Sequence, residues 1–465
     1  MMLAGALMVM LSCTGEQGEE PPPPPMNEPN ETADTGSPTT DTGPTTSDPT
    51  VKAVCERDAN NALRASCQVQ ATEAISVTLT LSAPGVPTRT FESSDEMTNH
   101  TLFVWGLVPD TNYTWTVGDI TGTLTTGSLP QALQPNINVQ GDASAFTFDA
   151  VMRPLECRNG RYSTMIDTEG RIIWYEPIPD DYALWGYGSF NWSQEHQTVL
   201  IASAAGFIET NLSGNIVLRL DPGVHYSNAH MLHHDVDRWG NFRYLLFQYD
   251  VDGFLVDGVH VFEGDTLRGT WFMDDHFTVG GGNPDWSHGN GINVNDDGTI
   301  VLSFLSFDAV VALDGDPNSP TFLDILWHAA GAPETGLPNP DFIPTGQLNE
   351  RFRGQHNASL VNDDLWVFDN ASQGMSRALR MSMDASVGLL TVTGSWSMEE
   401  FCPIQGGALP IDGGVLATCA TSGQARAFRE NATTSDWSLR SGCQGRPELN
   451  RAIPVSFDTP VSRSR

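Results

Sequence analysis

A polar turn, a glycine and two or three alternating apolar residues recur along most of this chain, and that unit restricts the fold more than any other feature. It reads Asp167-Thr168-Glu169-Gly170-Arg171-Ile172-Ile173-Trp174, then Asn211-Leu212-Ser213-Gly214-Asn215-Ile216-Val217-Leu218. Further copies are Asp237-Arg238-Trp239-Gly240-Asn241-Phe242, Asn295-Asp296-Asp297-Gly298-Thr299-Ile300-Val301-Leu302, Asn362-Asp363-Asp364-Leu365-Trp366-Val367 and Asp412-Gly413-Gly414-Val415-Leu416. A tight turn followed by period-two alternation makes hairpins, and a spacing of roughly 40–60 residues suits small sheets repeated around an axis. The copies predict an all-β chain whose residues 135–461 form a six-bladed β-propeller.

Residues 51–130 carry a different β pattern. Ile75-Ser76-Val77-Thr78-Leu79-Thr80-Leu81 alternates strictly, and Leu107-Val108-Pro109-Asp110-Thr111-Asn112-Tyr113 resembles the corner of a fibronectin type III domain. There a tyrosine hydroxyl bonds back to the backbone and pins a strand crossover. A fibronectin III-like β-sandwich is expected, serving as a spacer or packing partner. Ahead of it, residues 14–50 collapse to Pro, Thr, Glu, Asp, Gly and Ser and read as a disordered linker. Residues 1–13 are apolar and end in Leu11-Ser12-Cys13, which resembles the bacterial lipobox, with Cys13 as the lipidated residue. The expectation is a secreted lipoprotein held at the outer membrane by its lipid alone, facing periplasm or cell surface. A plain signal peptide with an incidental cysteine is the alternative.

The formal charge is −34, from 57 acidic and 23 basic residues. Such a chain is repelled by phosphate backbones, so nucleic acid is excluded as a partner. Six cysteines follow Cys13. An even number in an exported chain points to disulfides. Cys55–Cys67 and Cys402–Cys419 each flank a hairpin, which leaves Cys157–Cys443 to tie the first blade to the last. No Cys-x-x-Cys spacing argues for zinc, and no metal or other cofactor is expected. Asp250-Val251-Asp252-Gly253 resembles part of a calcium loop but lacks a glutamate at its twelfth position, so a polar turn is the better reading. Ser303, Ser359 and Ser372 lack a nucleophile elbow. The tryptophans Trp185, Trp192, Trp286 and Trp366 are read as blade packing before ligand stacking.

Propellers bind ligands where loops from every blade converge, so histidines at equivalent points of separate blades would meet. Three such points exist: His230-Met231-Leu232-His233-His234-Asp235, Asp285-Trp286-Ser287-His288-Gly289-Asn290 and Gly354-Gln355-His356-Asn357. Each precedes its turn by a similar short interval. Together with Phe368-Asp369-Asn370 and Ser376-Arg377-Ala378, this ordered set resembles the arylsulfotransferase (ASST) family. The resemblance implies a six-bladed propeller with an N-terminal sandwich. It implies transfer of a sulfuryl group from an aryl sulfate to a phenol through a histidine, without a nucleotide donor or metal. His356 matches the nucleophile, His288 and Asn290 an oxygen-binding pair, and His234 a further active-site histidine. His233, Thr421 and Arg377 are candidate substrate contacts. His288 and Asn290, two apart on an extended segment, are expected to point the same way.

One departure stands out. The family carries a sulfate-holding arginine in a Ser-x-Arg after the second motif, whereas this chain reads Ser303-Phe304-Leu305. Arg353 or Arg377 would have to substitute. The rival expectation is therefore a propeller without catalysis, binding a small ligand or protein at the cell surface.

Overall fold

The computed structural model of the chain describes residues 50–182, 188–371, 374–443 and 451–457. The signal segment with Cys13, nearly all of the linker, Trp185 and Ser372 lie outside the described residues. No α-helix occurs among those described, only strands and three single-turn 3₁₀ segments.

The first sheet contains Val51–Arg57, Ala65–Ala83, Val86–Val104, Asn112–Val117 and Ile120–Thr125. Its two middle strands are 19 residues each, and their ladder shifts register between Gln70 and Ile75. Cys55 lies directly opposite Cys67 and is bridged to it. The Val108 N–H donates to the Tyr113 hydroxyl at 2.8 Å, the corner contact anticipated from the sequence. The sheet docks on the following body through Asn61, whose amide donates to the Tyr175 carbonyl at 2.7 Å, and through an Arg64–Glu176 ion pair.

Six further antiparallel sheets follow among the described residues, a set of curled sheets consistent with a propeller. Three begin with Ser189–Ser193, Met231–Trp239 and Gly289–Val294, and each is a simple four-strand meander. The next runs His356–Val361, Asp364–Asp369, Arg377–Asp384, Leu389–Ser397, with Ile343–Pro344 added in parallel. The last two are composite. Gly407–Ile411 to Trp437–Gly442 takes Asn136–Gly141 as its outer strand, and Ala150–Cys157 to Ile172–Pro177 takes Ile453–Val455 as its inner one. The Cys157–Cys443 bridge joins these same two sheets. The third bridge, Cys402–Cys419, is also formed.

Apolar cores fill the gaps between successive sheets. Trp174 and Ile201 share one, Phe207 and Leu245 the next, and Leu246 and Leu302 the third. Val301 and Val367, then Phe368 and Ala417, continue the series, and Leu416 packs with Ile166 to bring it back to the start. Each fully buried side chain of this size contributes roughly 1.5–3 kcal/mol.

The recurring turns work as the sequence suggests, but not at one position. Asp167 and Asn211 accept backbone N–H groups across their turns, with Gly170 and Gly214 at φ +87° and +80°. These two join third to fourth strands, whereas the turns at Gly240, Gly298, Asn362 and Gly413 join first to second. Asn362-Asp363 manages without glycine because Asn and Asp tolerate positive φ, here 52° and 63°. Asp250–Gly253 is likewise a hairpin turn, with the Gly253 N–H on Asp250.

Candidate functional site

The three histidine motifs fall on the first strands of three successive sheets, and these strands are neighbours in that order. Each ladder to the second strand breaks at the motif: between Leu232 and Val236, Gly289 and Gly291, and His356 and Ser359. His234, His288 and Asn357 have φ of 55°, 46° and 50°, and Gln405, just before the next first strand, has 51°. Such conformations cost on the order of 1–3 kcal/mol each and collect at working sites. Bulges re-aim side chains, and here they turn neighbouring strands toward one place. The alternation argument for His288 and Asn290 does not apply, because His288 lies in the left-handed region and the ladder shifts at Asn290.

The histidines meet. The His234 ring centroid lies 5.1 Å from that of His288 and 4.8 Å from that of His233, and the Nδ1 atoms of His233 and His234 are 2.5 Å apart. His356 is buried, and its basicity responds to His288. Asn290 is buried beside them and donates to the carbonyl of Gln355 at 2.7 Å, while its Oδ1 has no partner.

Three side chains that sequence reasoning missed hold these rings. Asn370 Nδ2 donates to the Cys402 and Gln405 carbonyls at 2.8 and 2.9 Å. Its Oδ1 is thereby turned to His356 Nδ1 at 3.0 Å, where the Gly354 carbonyl also lies at 3.1 Å. Two acceptors at Nδ1 place the proton there, so Nε2 keeps its lone pair, facing the Gln405 N–H at 3.2 Å. Asp257 is fully buried and accepts from the Ser287 hydroxyl and the Gly289 N–H. Its other oxygen lies 2.7 Å from His233 Nε2, within ion-pair reach though not aligned for a straight hydrogen bond. Asp285 contacts His288 Nδ1 at 2.5 Å and accepts from Gln248. Asp285 and Asn370 belong to the motifs quoted above, whereas Asp257 sits mid-strand with no motif to mark it.

These partners set different charges on similar rings. Burial, then the neighbouring imidazoles His233, His288 and His356, pushes His234 well below its usual range. Burial also pushes His356 down to about 4, against the opposing bond from Asn370. The bond to Asp285 raises His288 despite its burial. The site therefore presents a neutral nucleophile-type imidazole beside one that favours the charged form.

The remaining candidates have other partners. The Arg377 guanidinium is turned to Asp369 at 2.8 Å and to the Asn349 and Arg351 carbonyls. Arg353 is half-exposed and pairs with Glu334 at 2.8 Å. Thr421 sits beside the Cys402–Cys419 bridge, its hydroxyl 3.6 Å from Cys419 Sγ. Leu305 opens a 3₁₀ turn, and its N–H donates to the His288 carbonyl at 3.0 Å, so a side chain here starts next to the histidine cluster. A cavity of about 540 Å³ elsewhere, lined by Arg89, Phe146, Asp149 and Arg171 among others, contains none of these histidines.

A second histidine pair lies in the sheet interior. His230 Nδ1 is 3.1 Å from His260 Nε2, both rings stack on Phe247, and burial pushes His260 down to about 3. His234, His260 and His356 thus stay neutral in the fold at pH values where the unfolded chain protonates them, below about 6.5. Asp237 opposes them, since burial raises it to about 7 and it holds its proton in the fold. With His196 and His230 also lowered, the histidines outweigh the raised carboxyls just below pH 6.5, so the unfolded chain binds more protons and stability falls on acidification. A thermal midpoint that stays level or rises from pH 6.5 to 4.5 would contradict this.

Comparison with known proteins bears on what such a cluster does. No curated protein matches the chain. Among solved structures it is similar to a protein of unknown function from Bacteroides caccae, with 9% identity over 66% of this chain and 99% of that one and a TM-score of 0.42. It is also similar to virginiamycin B lyase from Staphylococcus aureus (13% identity, 71% and 77% covered, TM-score 0.31). A third is a putative 6-phosphogluconolactonase from Bacteroides uniformis (14% identity, 68% and 98% covered, TM-score 0.34). The arylsulfotransferase (ASST) family profile matches residues 139–387, a span that includes all three histidine motifs. That match takes in more than half of the chain, which therefore belongs to the arylsulfotransferase family.

Proposed function

We propose that the protein moves a sulfuryl group from an aryl sulfate to a phenolic acceptor through a sulfohistidine on His356. The observation that carries this reading is the meeting of His233, His234 and His288 within electrostatic reach of His356, whose Nε2 keeps the reactive lone pair. Nε2 attacks sulfur, the sulfur–oxygen bond to the ring breaks, and the phenolate leaves with the bonding pair and takes a proton from a neighbouring imidazolium. The acceptor phenol then attacks the same sulfur, gives its proton to that imidazole, and the nitrogen–sulfur pair returns to Nε2. The second Nδ2 hydrogen of Asn290, and the Gln405 N–H once Nε2 is engaged, are candidate donors for the sulfuryl oxygens. His288, held toward the charged form by Asp285, is the candidate for that imidazolium and, once it has given up its proton, for the acceptor's base, with neutral His234 beside it.

In the same reading the six successive sheets are six blades over residues 135–461, and residues 51–130 form a fibronectin-like sandwich ahead of them. Cys13 is the lipid anchor, placing the enzyme on the cell envelope beyond the inner membrane. Leu305 favours a second reading, a surface module that keeps the fold and binds a ligand without turnover. Turnover of 4-nitrophenyl sulfate with added phenol separates the two: phenyl sulfate production supports the enzyme, and binding with no production supports the module.

If Asn370 fixes the His356 tautomer, Asn370→Ala should lower kcat by roughly 10²-fold with little change in KM. Nitrogen-15 spectra of His356 should then show protonation shared between Nδ1 and Nε2. An unchanged tautomer and rate would remove Asn370 from the mechanism.

A further inference from the structure

We propose that Asp285 is a positioning residue that holds His288 as an imidazolium, and that this cation grips the sulfuryl oxygens of the aryl sulfate in place of a guanidinium. The inference rests on the sulfuryl-transfer reading and deepens it. An aryl sulfate brings a full negative charge into a chain of net charge −34, so its binding needs a local cation. Three arginines that could have supplied it are engaged elsewhere: Arg353 with Glu334, Arg377 with Asp369, and Arg451 with Asp235 at 2.7 Å. Leu305, bonded through its backbone to His288, brings no charge.

His288 has a carboxylate on its Nδ1 in close, in-line contact at 2.5 Å, whereas Asp257 beside His233 is not so aligned. Asp285 is itself held from the side by Gln248 Nε2 at 3.0 Å, so it cannot turn away without losing that bond. With Nδ1–H spent on Asp285, Nε2–H is the donor left for a ligand. Asp285 and His288 are about a third exposed, as a substrate-facing pair must be.

Other groups also face His288. Asp257, from Phe254–Glu263, favours its charged form. His234 and His233 come from Met231–Trp239, and His356 from the strand that begins at His356. These imidazoles disfavour a second charge beside them, and burial keeps His234 and His356 neutral. Of His234, His288 and His356, the proton is favoured on His288, the ring Asp285 supports.

The sign of the pH dependence follows. The His356 nucleophile, pushed down to about 4, is neutral above that pH. His288, raised by Asp285, is charged until the pH passes its elevated midpoint. Transfer should run between these limits, with an alkaline limb that belongs to His288. Asp285→Asn should move that limb down by at least one pH unit and raise KM for 4-nitrophenyl sulfate about tenfold at pH 7.5. Leu305→Arg added to Asp285→Asn should restore KM and flatten the limb, because a guanidinium supplies the charge at any pH. The same variants are to be titrated with inorganic sulfate by calorimetry from pH 5.5 to 8.5. Sulfate binding that weakens with pH in the wild type and less steeply in the arginine variant supports the proposal even if no acceptor is ever sulfated, an outcome that would sink only the transferase reading. An alkaline limb and a sulfate affinity left unmoved by Asp285→Asn overturn it.

Discussion

Replacing His356 with alanine is expected to abolish transfer from 4-nitrophenyl sulfate to phenol, a loss of at least about 10⁴-fold in kcat, while the protein still folds. The size follows from the two-step route: without Nε2 there is no nitrogen to carry the sulfuryl group between donor and acceptor. Folding is the necessary control, because His356 is 4% exposed and its removal takes away the ring that Asn370 Oδ1 and the Gln405 N–H bond. That costs about 1–3 kcal/mol, which most folds of this size survive. His356→Gln, which fills more of the space and offers hydrogen-bonding atoms, is expected to be as inactive and more stable. A His356→Ala protein that folds and keeps more than a few per cent of its activity would remove the covalent step.

The second large effect concerns closure. Replacing both Cys157 and Cys443 with serine is expected to cost up to about 5 kcal/mol, because the bridge closes a loop spanning 286 residues and loop-closure entropy grows with loop length. The same change at Cys55 and Cys67, separated by 12, is expected to cost about 3 kcal/mol or less. Denaturant midpoints of the two double variants, compared with the wild type at equal slope, measure the difference. Equal midpoints would mean that the two composite sheets are closed by their strands alone.

Much of this architecture was legible in the chain, and the reason is local. Asp, Asn and Gly at tight turns act over four or five residues, so the copies at Gly170, Gly214 and Gly298 announce hairpins wherever they fall. Their position within a sheet is not local. The first two copies join outer strands and the later four join inner ones, a distinction set by which strand pairs with which across hundreds of residues. The cysteine pairs were readable because hairpin flanks and elimination left one partner for Cys157.

At the site, the matched phase of the histidine motifs pointed to one meeting place, but the bulges that bring the rings together carry no clear sequence mark. Arg377 was open to two readings, a structural tie or a sulfate contact. Its guanidinium ties Asp369 to the loop at Asn349 and Arg351. Asp257 could not be found from sequence, because its role depends on a neighbouring strand placing His233 beside it. Asn370 and Asp285 were in view as motif letters, and only the carbonyls around one and the ring beside the other give them work.

The sharing of Ile453–Val455 and Asn136–Gly141 between distant parts of the chain also sets an order of events. The sheet built on Ala150–Cys157 is among the first to leave the ribosome, yet its innermost strand is among the last. Until that strand arrives, one long edge stays open to pairing with any passing chain. In a protein wired this way the short returning strand acts as the latch.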